Sequence, residues 1–217
     1  MRILVFAPHN DDEVLGVGGT IAKYAKQGHE VFVCEVTSWI ENQEQTQRIK
    51  REAINAHDIL GVKDTIFMDL PVVHLKETQT HIKNQRFIDV VKDIKPEVAF
   101  IPHVGDMHVD HAETAQAAMV ALRPMNNPQL KAIYTYETLS ETEWNIPSVA
   151  NGFIPNIWSD ISDTYMCKIE AMKCFKTQLY PFPHPRSLEA IEALAKLRGS
   201  TIGVYQAESF MCVRERI

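Results

Sequence analysis

The sequence predicts an α/β fold: a Rossmann-like, doubly wound, mainly parallel sheet with helices on both faces. Two observations carry this expectation. Apolar runs bounded by turn residues alternate with segments of helical period, the pattern of repeated βαβ units. The chain has 217 residues and 45% hydrophobic content, enough to bury one sizeable core. It shows no internal repeat, low-complexity tract or linker, so residues 1–217 read as a single domain.

The first strand is expected over Ile3–Ala7, because a continuous apolar run ending in turn residues suits a strand buried on both faces. Further strands fit Val31–Val36, Thr65–Met68, Val98–Pro102 and Ala132–Tyr136. Between them, helices fit Gly19–Gln27, Glu44–Leu60, His81–Ile94 and Glu113–Leu122. Gly61 closes the second, Pro96 ends the third and Pro124 follows the fourth, as helix stop signals do. After Glu137 the alternation fades. One more helix fits Asp163–Phe175, another fits Leu188–Leu197 beyond the bend "YPFPHPRS", and the tail "GVYQAESFMCVRE" reads as extended. Right-handed crossovers make 3-2-1-4-5 the expected order of the first five strands, which sets the first and fourth side by side. Ligands in such sheets bind beyond the carboxyl ends of the strands where the winding reverses, here between those two.

Charge narrows the function classes. The formal net charge is −6, from 22 Lys and Arg against 28 Asp and Glu, and no basic cluster stands out. This argues against a nucleic-acid partner held through its phosphates. The four cysteines form no CxxC pair and are expected to be buried, reduced thiols in a cytoplasmic protein. No apolar run approaches the ~20 residues of a membrane span, and no basic-then-apolar leader opens the sequence, so neither membrane insertion nor secretion is expected.

Two polar clusters break the apolar pattern. "HNDD", His9 to Asp12, ends the first strand, and "HVDH", His108 to His111, follows the fourth. Histidine and aspartate are costly to bury unpaired, so packing gives no reason for either cluster. Metal chemistry does. A catalytic zinc takes three nitrogen or oxygen ligands and keeps a fourth position open. His9, one of the two aspartates and one histidine of "HVDH" would meet that need. Two acids would remain, one as general base and one to orient a histidine. Spacing alone does not say which aspartate binds metal.

"PHNDDE" together with "HVDH" resembles the paired signature of the LmbE-like, or PIG-L, family of zinc-dependent N-deacetylases. "GVGGTIA" (residues 16–22) and "RGSTIGVYQAESF" (Arg198 to Phe210) are also similar to that family, particularly its bacillithiol-pathway branch. The resemblance implies a deacetylase acting on an N-acetylglucosamine-type conjugate with one zinc per chain. It implies His9, Asp12 and His111 as metal ligands and Asp11 as general base. His108 would polarise the carbonyl or protonate the leaving amine, with Asp110 holding its ring. It also implies a trimeric or hexameric assembly. Asn10 and Val109 stand where the family usually has proline. An arginine facing the substrate is a family feature too, for which Arg48, Arg51 and Arg186 are the candidates.

Other readings compete. Asp11 or Asp12 could merely cap the following helix. "GVGG" could be a phosphate cradle, but Gly16 and Gly18 are followed by Ile21 where G-x-G-x-x-G needs glycine, and three adjacent acids would repel phosphate. Close packing is therefore the expected role of Gly18 and Gly19. Arg48 and Arg51 also suit a solvated helix face. His29, His57, His74, His81 and His184 have no acidic partner at ligand spacing and read as surface or structural residues, and His103 as a strand-end histidine bonded to backbone. A different metal-assisted hydrolysis, or a sugar- or nucleotide-binding protein with a vestigial site, are the alternative functions.

Overall fold

The computed structural model describes all 217 residues. In chain order its elements are β1 (Arg2–Ala7), α1 (Asp12–Lys26), β2 (Glu30–Ser38), α2 (Gln43–Leu60), β3 (Asp64–Pro71), α3 (Thr80–Ile94), β4 (Val98–Pro102), α4 (Val109–Ala121), β5 (Ala132–Tyr136), β6 (Ile157–Asp160), α5 (Tyr165–Met172), α6 (Leu188–Ile202) and β7 (Ala207–Glu215). They build one seven-stranded sheet in the order β3-β2-β1-β4-β5-β7-β6. The first five strands are parallel and follow the 3-2-1-4-5 winding that the sequence predicts. β7 then runs antiparallel between β5 and β6. No helix is long and apolar enough to cross a membrane.

Alternation along the strands divides the core between two faces. Ile3 and Val5 of β1 pack with α1, α2, α5 and α6 on one side. Leu4 and Phe6 pack with α3 and α4 on the other. β1 pairs with β4 from Ile3↔Val98 to Val5↔Phe100, so the polar segments after both strands leave the sheet at neighbouring points.

Several boundaries correct the sequence expectations. α1 begins at Asp12, not Gly19, so the glycines lie inside the helix instead of opening it. Asp12 and Glu13 in its first turn face the positive end of the helix dipole. The glycines let other elements approach: a Cβ on Gly19 would come within 2.6 Å of the Ile161 side chain, and one on Gly16 within 2.9 Å of the Glu137 carbonyl and into the Tyr136 ring. α4 begins at Val109, not Glu113, which places Asp110 and His111 in its first turn. α5 is shorter than predicted at both ends, and α6 runs on to Ile202 before Gly203 closes it in a left-handed conformation, φ 77°. β6 has only four residues and no apolar pattern to announce it. All four cysteines are unpaired, but only Cys34 is buried, contrary to the expectation for the other three.

The C-terminal segment anchors α1. Glu208 of β7 accepts the Gly19 and Thr20 amides at 2.9 and 2.8 Å. Lys168 of α5 donates to Glu208 and to the Leu15 carbonyl, both at 2.7 Å. Since Tyr136 and the Glu137 carbonyl leave no room beside α1, Gly16→Ala is expected to destabilise the fold by about 1–3 kcal/mol through overpacking. Thermal unfolding should show this as a Tm lowered by several degrees.

Candidate active site

Both polar motifs sit at helix N-termini at the crevice between β1 and β4. His9 lies in the loop between β1 and α1, and Asp12 is the first residue of α1. His108 is the N-cap of α4, with Asp110 and His111 in its first turn. The short connections after two neighbouring parallel strands bring residues about a hundred positions apart into contact.

One set converges most closely. Asp12 Oδ2 lies 3.3 Å from His9 Nδ1 and 3.1 Å from His111 Nε2, and it accepts the His9 amide at 2.9 Å. The three ligand atoms of His9, Asp12 and His111 all lie within 4.8 Å of one another. His111 Nε2 and Asp12 Oδ1 are buried with no hydrogen-bond partner in the protein. Orphaned buried polar atoms are expensive, and a cation bound by two nitrogens and a carboxylate would satisfy both. The residues therefore fit a zinc-type ion with an open coordination position.

Each histidine is held from its far side by a carboxylate. His9 Nε2 bonds Asp110 Oδ2 at 3.2 Å, and that same oxygen accepts the Val73 amide at 2.7 Å. His111 Nδ1 bonds Asp106 Oδ2 at 2.8 Å, while Thr142 Oγ1 donates to Asp106 Oδ1 at 2.6 Å. Such carboxylate–histidine pairs orient metal-binding imidazoles and raise their basicity. Burial alone would lower the His9 pKa, but hydrogen bonds to Asp110 and Asp12 outweigh it and raise it to about 9. For His111, burial is outweighed by Asp12 and Asp106, and the pKa rises to about 10. Burial would raise the Asp12 pKa, yet the facing His111 and His9 hold it well below the usual range.

The position of Asp110 differs from that expected. Its carboxylate is 3.9 Å from His108 Nδ1 and engages His9 instead. The Asp110 backbone amide, by contrast, donates to His108 Nδ1 at 3.1 Å. The capping geometry of α4 thus orients the His108 ring. With Nδ1 accepting, the proton of the neutral ring sits on Nε2. Burial, and then the adjacent His9, lower the His108 pKa to about 4.

Asp11 stands apart from the cluster. It occupies the N-cap position of α1 but makes no side-chain cap bond. Its Oδ2 accepts from Arg186 Nη1 at 2.8 Å, and its Oδ1 is buried without a partner. Burial raises the Asp11 pKa to about 7 against the opposing charge of Arg186. Arg186 is fixed in turn by Ser140 Oγ at 2.8 Å and Gln178 Oε1 at 3.1 Å.

Asp11, His9 and His108 open onto a cleft of about 210 Å³, bordered also by Trp39, Lys50 and Arg186. Of the three candidate arginines, only Arg186 reaches it. Arg48 is 57% exposed and pairs with Glu52 at 3.4 Å, and Arg51 is exposed; from α2 it is Lys50 that faces the cleft, bonded to Asp69 Oδ2 at 2.8 Å. His103 Nε2 bonds the Asn151 carbonyl at 3.0 Å and lies outside the cluster.

Sequence reasoning missed Asp106 and Lys50. Asp106 stands five residues before His111 in the same polar loop, which was the available signal. His57 is structural, as the sequence allows, but it does have acidic partners, being buried against Glu13 at 3.1 Å and Glu35 at 3.5 Å, and the exposed His74 pairs with Glu77 at 3.1 Å. The acid inside the apolar run "VFVCEVTS" was a sign that something must balance it.

The sequence model of the PIG-L family, described as GlcNAc-PI de-N-acetylase, matches residues 4–122, more than half of the chain and both motifs. The chain belongs to the PIG-L family. Among PIG-L relatives it is similar to the Escherichia coli protein named "Uncharacterized deacetylase YaiS", with 29% identity over 81% of this chain and 90% of that one. It is also similar to the diacetylchitobiose deacetylase of Thermococcus kodakarensis, with 23% identity over 82% of this chain and 70% of that protein. The conserved protein TT1542 from Thermus thermophilus shares the fold, with a TM-score of 0.81 at 24% identity over 99% of this chain and 96% of that one.

Proposed function

We propose that this PIG-L protein is a metal-dependent hydrolase that removes the acetyl group from the nitrogen of an N-acetylglucosamine-type conjugate. One observation supports this reading above all. The trio of His9, Asp12 and His111, its two histidines braced by carboxylates, reaches the cleft through His9, beside Asp11, whose Oδ1 has no protein partner, and the neutral imidazole of His108. The activity named for the family and a relative that acts on diacetylchitobiose agree with it.

A zinc ion held by His9, Asp12 and His111 would polarise the amide carbonyl and lower the pKa of water from 15.7 to about 7. Asp11 then acts as general base. Its Oδ1, free of protein partners, accepts the proton of the attacking water, while Arg186 keeps Oδ2 occupied and the carboxylate oriented. His108 Nε2–H donates to the carbonyl oxygen as negative charge builds there. When the carbon–nitrogen bond breaks, Asp11 returns its proton to the amine, leaving acetate and the free amino sugar. Trp39, 45% exposed at the rim, offers an apolar face to the sugar ring.

The test is a panel of N-acetylglucosamine conjugates, with acetate release and free-amine formation measured in parallel. Equal yields of both support deacetylation. Formation of amine without acetate, or of neither product, would reject it. Within this reading, His108→Ala is expected to keep its metal, leave KM within about threefold and lower kcat by ~100- to 1,000-fold, the usual worth of one oxyanion donor. Loss of metal from this variant would instead place His108 among the ligands.

A further inference from the structure

Beneath the catalytic loop lies a second polar group that does not reach the cleft. Glu13 of α1, Glu35 of β2 and His57 of α2 meet with 0, 1 and 2% exposure. His57 Nε2 lies 3.1 Å from Glu13 Oε1 and 3.5 Å from Glu35 Oε1. His57 Nδ1 is tied to Thr65 Oγ1 at 2.7 Å, so the ring cannot turn away. Glu35 faces Ala7 across the β1–β2 pairing, and neither of its oxygens has a hydrogen-bond partner. An apolar residue would fill this strand position at far lower cost.

The other end of this group explains why that cost is borne. Glu13 Oε2 accepts the backbone amide of Asp11 at 3.1 Å. Asp11 has φ 150° and ψ −22°, a conformation that residues other than glycine hold only where their surroundings enforce it. An aspartate at an N-cap normally spends its carboxylate on the helix amides. Here Glu13 takes the Asp11 amide, and the Asp11 carboxylate is left for the cleft.

We propose that Glu35 and His57 are positioning residues: they hold the Glu13 carboxylate against the Asp11 amide and thereby fix the backbone that aims the Asp11 carboxylate into the cleft. The inference rests on Asp11 being the general base. Burial, and next the charge of Glu13, push the Glu35 pKa well above the carboxylate range, so Glu35 confronts Glu13 as a neutral acid able to donate. Glu13 is then held by hydrogen bonds to the Asp11 amide and the His57 ring, with the Glu35 carboxyl set against both carboxylate and ring, the three groups within 4.8 Å of one another. Loosening any one lets Asp11 relax, and a displacement near 1 Å at a reacting group costs on the order of 100-fold in rate.

The experiment compares metal-loaded wild type with Glu35→Gln, Glu35→Leu, His57→Gln and His57→Leu. The glutamine variants retain an N–H that can reach Glu13 and should keep kcat within about threefold. The leucine variants should lose about 10- to 100-fold in kcat with KM within twofold and metal content unchanged. Should a leucine variant not fold, Glu35→Ser and His57→Asn, too short to reach Glu13, carry the same expectation. Wild-type kcat in the short or apolar variants, or equal loss in the glutamine and leucine variants, overturns the proposal. The Asp11 amide proton supplies a readout without turnover. By NMR it should be shifted downfield in wild type and in both glutamine variants, and should move upfield in the others; an unchanged signal throughout also overturns the proposal. If wild type deacetylates none of the sugars, the functional reading fails, and this amide signal still judges the network.

Discussion

Asp11→Asn is expected to bind about one metal ion per chain and retain its affinity for substrate, yet turn over ~100- to 10,000-fold more slowly, the range for loss of a general base. Asparagine has the shape of aspartate but cannot take a proton at Oδ1. The replacement should cost little stability. Arg186 would lose the Asp11 charge but keep Ser140, Gln178 and the Glu141 carboxylate, 3.4 Å away, so no buried cation is stranded. The same assignment fixes the sign of the pH dependence. A base must be ionised to work, and burial raises the Asp11 pKa to about 7. Activity therefore rises with pH through an acid limb, and a nearby bound cation, favouring the ionised form, moves that limb below 7. Measured kcat/KM across pH 4 to 9 should show this limb in wild type and lose it in Asp11→Asn. An Asp11→Asn variant with wild-type kcat would remove Asp11 from the mechanism.

Much of this arrangement was legible in the sequence, because its signals are local. Five strands announce themselves as short apolar runs, and right-handed crossovers restrict their order, which is enough to bring "HNDD" beside "HVDH". What stayed hidden depends on contacts between distant elements. The start of α1 at Asp12 is decided by carboxylates at the helix dipole and by Ile161 and Tyr136 closing over Gly19 and Gly16. Propensity, which disfavours glycine in helices, points the wrong way there. β6 is held by its pairing with β7, not by any pattern of its own. Asp110 and Asp106 are alike in sequence, and only the fold assigns one to His9 and the other to His111. Of the cations near the start of α2, helical phase turns Lys50 to the cleft and leaves Arg48 and Arg51 at the surface. His57 looked unpartnered because Glu13 and Glu35 lie 44 and 22 positions away in the chain.

Removing one of the proposed ligands should have the largest effect of all. His111→Ala leaves only His9 and Asp12 to hold the ion and frees a cavity in the first turn of α4, where His111 is fully buried. Two protein ligands hold zinc poorly compared with three, so metal content by mass spectrometry should fall far below one per chain and deacetylation should be lost with it. Asp12→Asn should behave similarly but be partly rescued by excess zinc, since the amide oxygen remains in place without its charge. Asp106→Asn separates the ligand from its support. It spares all three donor atoms but weakens the anchor at His111 Nδ1, 2.8 Å away, and such supporting carboxylates are typically worth 10- to 100-fold in metal affinity. The expected order of metal affinity is wild type, then Asp106→Asn, then Asp12→Asn, with His111→Ala last. Asp11→Asn should sit beside wild type, because its carboxylate faces Arg186 and not the trio. If Asp11→Asn lost its metal while Asp12→Asn kept it, the two adjacent aspartates would have to exchange roles. If every variant kept both metal and activity, the reacting centre would lie elsewhere than between β1 and β4.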